Sequence, residues 1–307
     1  MNLNHFYQVV FTLNQKENMG HKVLITGSNG GFGKLTTELL LKEGHQVAAS
    51  MRGVNGKNKE AAEELKAAGA VVVEIDVTSD SSVEAGVNDA ISQLGGLDVV
   101  INNAGVGVSG MQEHFTVDDW QKVFDVNVFG VQRVNRAVLP HFRNQGSGLI
   151  VYISSLLGRM SLPFYGPYNA TKWALEAMAE NYRVELSGFG IENAIIEPGG
   201  FETTFFGSLI QPSDTSRAEA YGDFMNAPQQ MGEGFGEALA NNPEQDPQKV
   251  ADAVLELISL PRGEKPFRTP VDYMGMGEPI KPYNDQLEQL MRGIYGNFQI
   301  DGMLDVK

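Results

Sequence analysis

The stretch KVLITGSNGGFG, residues 22–33, decides the fold of this chain. Its first five residues form a short apolar run that predicts a buried strand, and a helix is predicted to follow from Phe32 to Glu43. Glycines between a strand and a helix permit a tight turn and let the backbone approach a pyrophosphate, toward which the helix N-terminus points its amides. The spacing is GxxxGxG rather than the commoner GxGxxG, so the turn is weak evidence alone. Its position between a predicted strand and a predicted helix makes it a candidate dinucleotide site.

The same strand–helix unit recurs along most of the chain. Further strands are predicted at residues 46–50, 70–75, 97–101, 149–154, 191–196 and 267–272, and helices at 57–68, 81–94, 117–144, 168–186 and 249–260. Near-continuous apolar strands separated by helices indicate an α/β fold, in which a parallel sheet is covered on both faces. Ligands bind such sheets beyond the carboxyl ends of the strands, near the switch in strand order. The residues that follow the strands are therefore the candidate site residues.

The chain divides into one domain, residues 21–274, an N-terminal extension, residues 1–20, and a C-terminal tail, residues 275–307. The extension has an apolar patch but lacks the basic start and the small-residue cleavage site of a signal peptide. Residues 200–246 are rich in Gly, Asn, Gln and Met, which indicates a substrate lid with short helices; a disordered loop is the alternative. The tail shows no interpretable pattern.

Composition excludes several classes of function. The chain has 23 Lys and Arg against 38 Asp and Glu, and this net charge of −15 disfavours binding to nucleic acid and to anionic membranes. The absence of cysteine excludes disulfides, thiolate catalysis and Cys-ligated metals, and we expect no metal site. It also fits a reducing compartment, so a cytoplasmic location is expected. No apolar run reaches the length of a membrane span.

The end of the second strand selects the dinucleotide. NAD enzymes place an acid there to bond the ribose hydroxyls, but this chain has Ser50-Met51-Arg52. Arg52 would attract a 2′-phosphate and form paired hydrogen bonds with it, which predicts NADP(H). The alternative is that Arg52 is a solvated surface charge.

Two further strand ends carry candidate cofactor residues. The third ends in Asp76-Val77, where the acid can accept from an adenine amino group or can serve a helix N-terminus near Thr78. The fourth ends in Asn102-Asn103-Ala104-Gly105, residues 102–105. Its small residues let the backbone pass close to a ribose, and its asparagines can tie adjacent strands; an ordinary turn is the alternative.

Tyr168 and Lys172 lie four residues apart and share one face of a predicted helix. A phenol with a pKa of about 10 is a poor acid–base group at neutral pH, and a neighbouring ammonium lowers that pKa. Ser155, at the end of the fifth strand, could hold a substrate oxygen near the phenol. Asn127 lies inside a predicted helix, where it could bind a water that links Lys172 to solvent or could be a core amide bonded to backbone.

These motifs occur in one order along the chain: TGxxxGxG at 26–33, NNAG at 102–105, Asn127, Ser155, Tyr168 with Lys172, and Pro198-Gly199. The set resembles the short-chain dehydrogenase/reductase family over residues 22–260. The resemblance implies a Rossmann-type, doubly wound parallel sheet of about seven strands and an Asn–Ser–Tyr–Lys tetrad. By it, Tyr168 is the general acid/base, Ser155 steadies the substrate, Lys172 binds the ribose and lowers the tyrosine pKa, and Asn127 holds a relay water.

The resemblance also implies where the cofactor binds. The expected cofactor-binding residues are Gly27, Ser28, Asn29, Gly31, Phe32, Gly33, Arg52, Asp76, Val77, Asn103, Ala104, Gly105, Tyr168, Lys172, Pro198, Gly199 and Thr203. Some NADP-preferring members carry a basic residue at the position of Gly30. This chain does not, so the preference for NADP(H) rests on Arg52.

The implied activity is the NADP(H)-dependent interconversion of a carbonyl and a secondary or primary alcohol. The segment SLPF at 161–164 resembles members that act on steroids and retinoids, so an apolar ketone or aldehyde of steroid, retinoid or fatty type is expected. Apolar side chains in the lid fit this substrate, although they could instead pack the lid or a subunit contact; they are Phe201, Phe205, Phe206, Leu209, Ile210, Tyr221, Phe224 and Met225.

Two other functions are weighed against this one. A non-catalytic NADP-binding sensor or scaffold protein would be expected to lose the tetrad, which is whole here. A nucleotide-sugar epimerase-like enzyme shares the tyrosine–lysine spacing, but Arg52 and the arrangement of Asn127 with Ser155 favour simple redox chemistry. A homodimer or homotetramer is expected, because helices corresponding to 117–144 and 168–186 pair subunits in many relatives.

Overall fold

The computed structural model describes residues 20–306, so nearly all of the N-terminal extension lies outside the described residues. Seven parallel strands form one sheet in the order β3-β2-β1-β4-β5-β6-β7. They are β1 (Lys22–Thr26), β2 (Gln46–Met51), β3 (Val71–Glu74), β4 (Val99–Asn102), β5 (Gly148–Ile153), β6 (Ile191–Pro198) and β7 (Arg268–Val271). The order reverses between β1 and β4, as in a doubly wound fold, and this confirms the expected architecture.

Ten α-helices lie within the described residues. They are α1 (Gly31–Lys42), α2 (Lys59–Ala67), α3 (Asp80–Leu94), α4 (Val117–Phe124), α5 (Gly130–Gln145), α6 (Gly166–Leu186), α7 (Ala218–Tyr221), α8 (Ala227–Ala240), α9 (Gln248–Ser259) and α10 (Ile280–Asn297). None of them is both long enough and apolar enough to cross a membrane.

Alternate residues of the central strands face two separate hydrophobic clusters. Leu24 of β1 packs with residues of α3, α5 and α6 on one face of the sheet. Val23 and Ile25 pack with residues of α1 and α9 on the other. This burial on both faces explains why the strands read as continuous apolar runs.

The helix predicted over 117–144 is divided into α4 and α5. A π turn, Asp125–Phe129, separates them and contains Asn127. The Asn127 amide bonds both the nitrogen and the oxygen of Val106, at 2.8 and 2.9 Å, which ties this turn to the loop after β4. The helical region predicted over 117–144 is confirmed, and the π turn inside it could not be read from helical periodicity, because a side-chain anchor produces it.

The lid region contains two helices, α7 and α8, and the uninterpreted tail contains α10. The tail helix packs against the domain, because the two terminal guanidinium nitrogens of Arg183, Nη1 and Nη2, donate to Glu288 at 2.6 and 3.0 Å. Paired bonds between an arginine and a carboxylate fix orientation as well as distance.

Close packing of α3 on β3 depends on Gly86. A Cβ at this position would lie 2.3 Å from Ile75 Cγ1 and 2.5 Å from the Glu74 carbonyl oxygen. We expect Gly86→Ala to lower the free energy of unfolding by about 1–3 kcal/mol, measured by chemical denaturation. The matched control is Gly293→Ala in α10, where nothing lies within 4 Å and the change should raise stability by up to about 1 kcal/mol. Equal effects of the two changes would contradict this packing.

Candidate active site

A crevice of about 570 Å³ opens at the carboxyl ends of the strands. Every expected cofactor-binding residue lines it except Ser28 and Gly33, and Ser155 lines it as well. The crevice adjoins the point between β1 and β4 where strand order reverses, as expected for this type of sheet. The sheet therefore brings residues far apart in the sequence to one edge.

The glycine-rich turn packs directly on the end of β4. Gly27 has φ of 70°, and a Cβ on it would lie 2.9 Å from Ala104 Cα. The Asn103 side chain donates to the carbonyl oxygens of Thr26 and Gly27, at 2.8 and 3.1 Å. The prediction that asparagine ties adjacent strands is thereby confirmed.

Two expected cofactor residues face away from the crevice. A Cβ on Gly33 would lie 2.3 Å from the Gly27 carbonyl oxygen, so this glycine permits α1 to pack against the turn. Ser28 is fully buried, and its hydroxyl donates to the Ile25 carbonyl oxygen at 3.1 Å. Both residues shape the turn, and their expected direct contact with the cofactor is not supported by their positions.

Arg52 lies exposed on the crevice wall, and its guanidinium makes no hydrogen bond or ion pair with the described residues. The loop after it is ordered by Glu74, whose carboxylate accepts from the amides of Gly53 and Val54, at 2.8 and 3.2 Å. Lys57 lines the same wall and was missed by sequence reasoning, although a second cation five residues after Arg52 was a usable signal.

Asp76 both lines the crevice and bonds locally. One of its oxygens accepts from the Thr78 amide and hydroxyl, at 3.0 and 2.7 Å. Burial acts to raise the pKa of Asp76, but these hydrogen bonds outweigh it and hold that pKa below its usual range. The alternative, in which Asp76 bonds locally near Thr78, therefore describes one of its carboxylate oxygens. The other carboxylate oxygen takes no part in these two bonds.

Tyr168, Ser155 and Lys172 come together on one wall. The Lys172 Nζ lies 5.5 Å from the centroid of the Tyr168 ring and donates to the Ile153 carbonyl oxygen at 2.8 Å. The Ser155 hydroxyl donates to the Pro198 carbonyl oxygen at 3.4 Å, and Ser155 lies close enough to the Tyr168 phenol to lower its pKa. The fifth and sixth strands and α6 therefore converge on one phenol.

Burial governs the protonation of this pair. Burial raises the pKa of Tyr168 to about 12. Ser155 acts to lower this pKa, and Tyr165 acts to raise it. Burial lowers the pKa of Lys172 to about 8, against the attraction of Glu176. Removal of both groups from water is the larger effect on each pKa, and the expected lowering of the phenol pKa by Lys172 stays a prediction.

Asn127 does not line the crevice. Besides its two bonds to Val106, its amide donates to the Thr171 hydroxyl at 3.0 Å, and the residue is 1% exposed. The alternative of a core amide bonded to backbone therefore describes its side chain. Its amide holds the π turn against the helix that carries Lys172, and its expected contact with a relay water stays a prediction.

The sequence profile described as short chain dehydrogenase matches residues 21–213, which is more than half of the chain. The chain belongs to the short-chain dehydrogenase family. The resemblance drawn from the ordered motifs is confirmed.

Individual members of the family match most of the chain. A 3-ketodihydrosphingosine reductase of Bacteroides thetaiotaomicron is 33% identical over 253 residues, covering 81% of this chain and 87% of that protein. Retinol dehydrogenase 8 of Bos taurus is 35% identical over 259 residues, covering 82% of each. The crystal structure of a short-chain dehydrogenase from Streptomyces avermitilis superposes with a TM-score of 0.71 at 29% identity, covering 92% of this chain and 98% of that one.

The outer crevice of this short-chain dehydrogenase is largely apolar. Of the lid residues singled out in the sequence, Phe201, Phe205, Phe206 and Ile210 line it, and the other four do not. Met231 and Phe235, one turn apart on α8, also line it and were missed. They were missed because the pattern across the lid did not reveal the helix that aligns them.

A buried carboxylate forms hydrogen bonds to the lid region, residues 200–246. Asp119, 3% exposed on α4, accepts from the amide and the hydroxyl of Ser213, at 3.1 and 2.6 Å. It also accepts from the Thr116 amide at 3.0 Å, which completes a capping box. Burial acts to raise the pKa of Asp119, but the bonds from Ser213 and Thr116 outweigh it and lower that pKa to about 2.

We expect Asp119→Asn to loosen the segment around Ser213 and to lower the melting temperature. Because the folded pKa is depressed, the carboxylate stabilises the protein above its ordinary pKa of 3.8, and this contribution is lost as the pH falls toward about 2. The difference in melting temperature between parent and variant should therefore be full at pH 6 and shrink below about pH 4. Asp118→Asn, an exposed neighbour, is the control; a pH-independent difference would refute the assignment.

Proposed function

We propose that this chain is an NADP(H)-dependent oxidoreductase that interconverts a carbonyl and an alcohol on an apolar substrate. The observation that carries the proposal is the meeting of Tyr168, Ser155 and Lys172 in one crevice with the glycine-rich turn. Phenol, hydroxyl and ammonium there face a space large enough for a ligand.

The protonation of Tyr168 fits the reducing direction. With its pKa raised to about 12, the phenol is protonated at neutral pH and can donate to a carbonyl oxygen. Ser155 holds that oxygen through a second hydrogen bond, so the charge that develops on it meets two donors. A bound reduced nicotinamide would supply the hydride to the carbonyl carbon. The positive charge of Lys172 stabilises the phenolate that Tyr168 becomes when it gives up its proton.

The residues present fit a dinucleotide. Gly27 and Gly31 both have positive φ, 70° and 51°, and so give a turn without side chains at the start of α1. The amides at this helix N-terminus suit a pyrophosphate. Arg52 and Lys57 on the adjoining wall supply two cations for a 2′-phosphate, and no carboxylate ends β2.

An apolar substrate is supported by the outer crevice and by the relatives. Phe205, Phe206, Met231 and Phe235 offer a hydrophobic surface next to Tyr168, whose ring centroid lies 5.6 Å from that of Phe205. The two relatives described above are named for 3-ketodihydrosphingosine and for retinol, which are both largely hydrocarbon. We therefore propose a long apolar ketone or aldehyde, or the corresponding alcohol.

A homodimer or homotetramer stays a prediction. Phe129 and Trp173, at the predicted subunit-pairing helices, are large apolar side chains exposed by 51% and 40%. Such surfaces are typical of contacts between chains.

Removal of one oxygen tests the chemistry. We expect Tyr168→Phe to lower kcat by about a hundredfold or more, because it deletes the proton donor. NADPH affinity, followed by nucleotide fluorescence, should stay within a few-fold. Tyr182→Phe is the control, since this tyrosine lies on the same helix and donates to Gln132 at 2.7 Å outside the crevice. Full turnover of Tyr168→Phe on a panel of apolar ketones would exclude the mechanism.

Removal of one cation tests the cofactor. We expect Arg52→Ala to weaken NADPH binding by about tenfold to a hundredfold and to leave NADH binding unchanged, because only NADPH carries the 2′-phosphate. Titration calorimetry with both nucleotides measures the two affinities. Lys59→Ala removes a nearby cation that pairs with Glu63 outside the crevice and serves as the control. Tighter binding of NADH than of NADPH by the parent protein would reverse the assignment.

A further inference from the structure

Four charged side chains are buried together behind Lys172. Their exposed fractions are at most 5%, and they are Arg159, Glu176, Glu197 and Arg268. We call them the buried charge cluster. Burial of a charge costs several kcal/mol in a protein interior unless partners compensate it, so a cluster beside a reacting centre calls for a reason.

Arg268 joins the two carboxylates. Its Nε donates to Glu176 Oε2 at 2.9 Å and lies 3.6 Å from Glu197 Oε1. Its Nη2 donates to Glu180 as well. Arg159 Nη2 approaches Glu176 Oε2 from the other side, at 3.8 Å. Glu176 is therefore held between two guanidinium groups.

The cluster lies next to the candidate catalytic site. Glu176 lies one helical turn after Lys172 on α6. Glu197 immediately precedes Pro198, whose carbonyl oxygen accepts from Ser155. A Cβ on Gly158, next to Arg159, would lie 3.0 Å from Glu176 Cγ and 3.2 Å from the Lys172 carbonyl oxygen. Gly158 therefore lets the loop that follows Ser155 pack closely against Glu176 and α6.

The tail helix closes the cluster. The Asn284 amide, on α10, donates to Glu197 Oε2 at 2.6 Å and is 7% exposed. The neighbouring Tyr283 ring lies 6.0 Å from the Arg159 guanidinium carbon. Residues near the end of the chain thus contact the groups behind Lys172.

The surroundings of Lys172 indicate how the buried charge cluster affects the charge of this lysine. Lys172 is 7% exposed, has no ion pair among the described residues, and donates to one carbonyl oxygen. Burial lowers its pKa to about 8, and the field of Glu176 opposes that fall. Burial and then repulsion by Glu176 raise the pKa of Glu197 well above its ordinary value.

We propose that Glu176, fixed by Arg159 and Arg268 one helical turn after Lys172, is a positioning residue that keeps the buried Lys172 ammonium charged. This inference rests on the proposed role of Lys172. It adds a carboxylate that lies behind the tetrad and acts on the reaction through the lysine.

The titratable and charged groups around Lys172 and Glu176 come from several elements. Tyr165, Tyr168, Glu176 and Glu180 belong to α6 or its start, Arg159 to the loop after β5, Glu197 to β6 and Arg268 to β7. Glu180 shares Arg268 with Glu176 but lies one turn farther from Lys172, and its side chain is 24% exposed. It is therefore a matched control, because it has the same partner and the same charge.

The test follows the titration of Lys172 directly. The full chain is labelled with 13C at the lysine Cε, the Lys172 signal is assigned by its loss in Lys172→Met, and its titration midpoint is measured in parent, Glu176→Gln and Glu180→Gln. We expect Glu176→Gln to move the midpoint down by about one pH unit, because loss of a nearby anion disfavours the ammonium. Glu180→Gln should leave it unchanged. Glu176→Asp, which keeps the negative charge, should bring the midpoint most of the way back to the parent value.

Kinetics provide the second readout. In Glu176→Gln the alkaline limb of the pH–kcat profile should move down by the same amount, while KM for the carbonyl substrate stays within a few-fold. An equal midpoint in parent and Glu176→Gln, or an equal shift in Glu180→Gln, overturns the inference. The NMR titration needs no turnover, so an inactive parent would count against the proposed function alone. If Glu176→Gln does not fold, Glu176→Met gives the same comparison without a buried amide.

Discussion

The contact between the glycine-rich turn and the end of β4 is the constraint on which the rest of the site depends. No atom beyond hydrogen fits on Gly33 without entering the space of the Gly27 carbonyl oxygen and the Asn103 amide. Because the turn lies this close, α1 starts at the strand-order reversal and its N-terminus faces the crevice. Because of the same close contact, Ser28 and Gly33 do not line the crevice but shape the turn that does.

Burial then decides the proton chemistry. A phenol and an ammonium withdrawn from water both favour their neutral forms, so Tyr168 holds its proton and Lys172 tends to lose one. Proximity of the two groups alone suggested the opposite direction for the phenol. The Glu176 carboxylate explains how a lysine in such a place keeps its charge, since an anion in a poorly hydrated interior acts over a longer distance than one in water.

The sequence was sufficient wherever the signal was local. The seven strands were found because each is a short apolar run bounded by a helix, and Tyr168, Lys172 and Ser155 were found because their motifs follow strands in a fixed order. It was insufficient where contacts between distant residues decide. The π turn depends on a bond from Asn127 to Val106, 21 residues away, and α8 is recognisable as part of the crevice only once it is folded over it.

The tail is the clearest case of such a non-local dependence. The stretch over α10 has the length of a helix, but Asn284 reads as an ordinary polar residue until Glu197 is placed beside it, 87 residues away in the chain. A buried carboxylate next to a second one needs hydrogen-bond donors, and the amide of Asn284 supplies one. Glu197 directly precedes Pro198, which lines the crevice and accepts a bond from Ser155. The packing of the tail is therefore connected, through these contacts, to the geometry around Tyr168. The boundary at residue 274 therefore marks a change in sequence pattern, but residues on both sides of it contribute to the contacts around the candidate site.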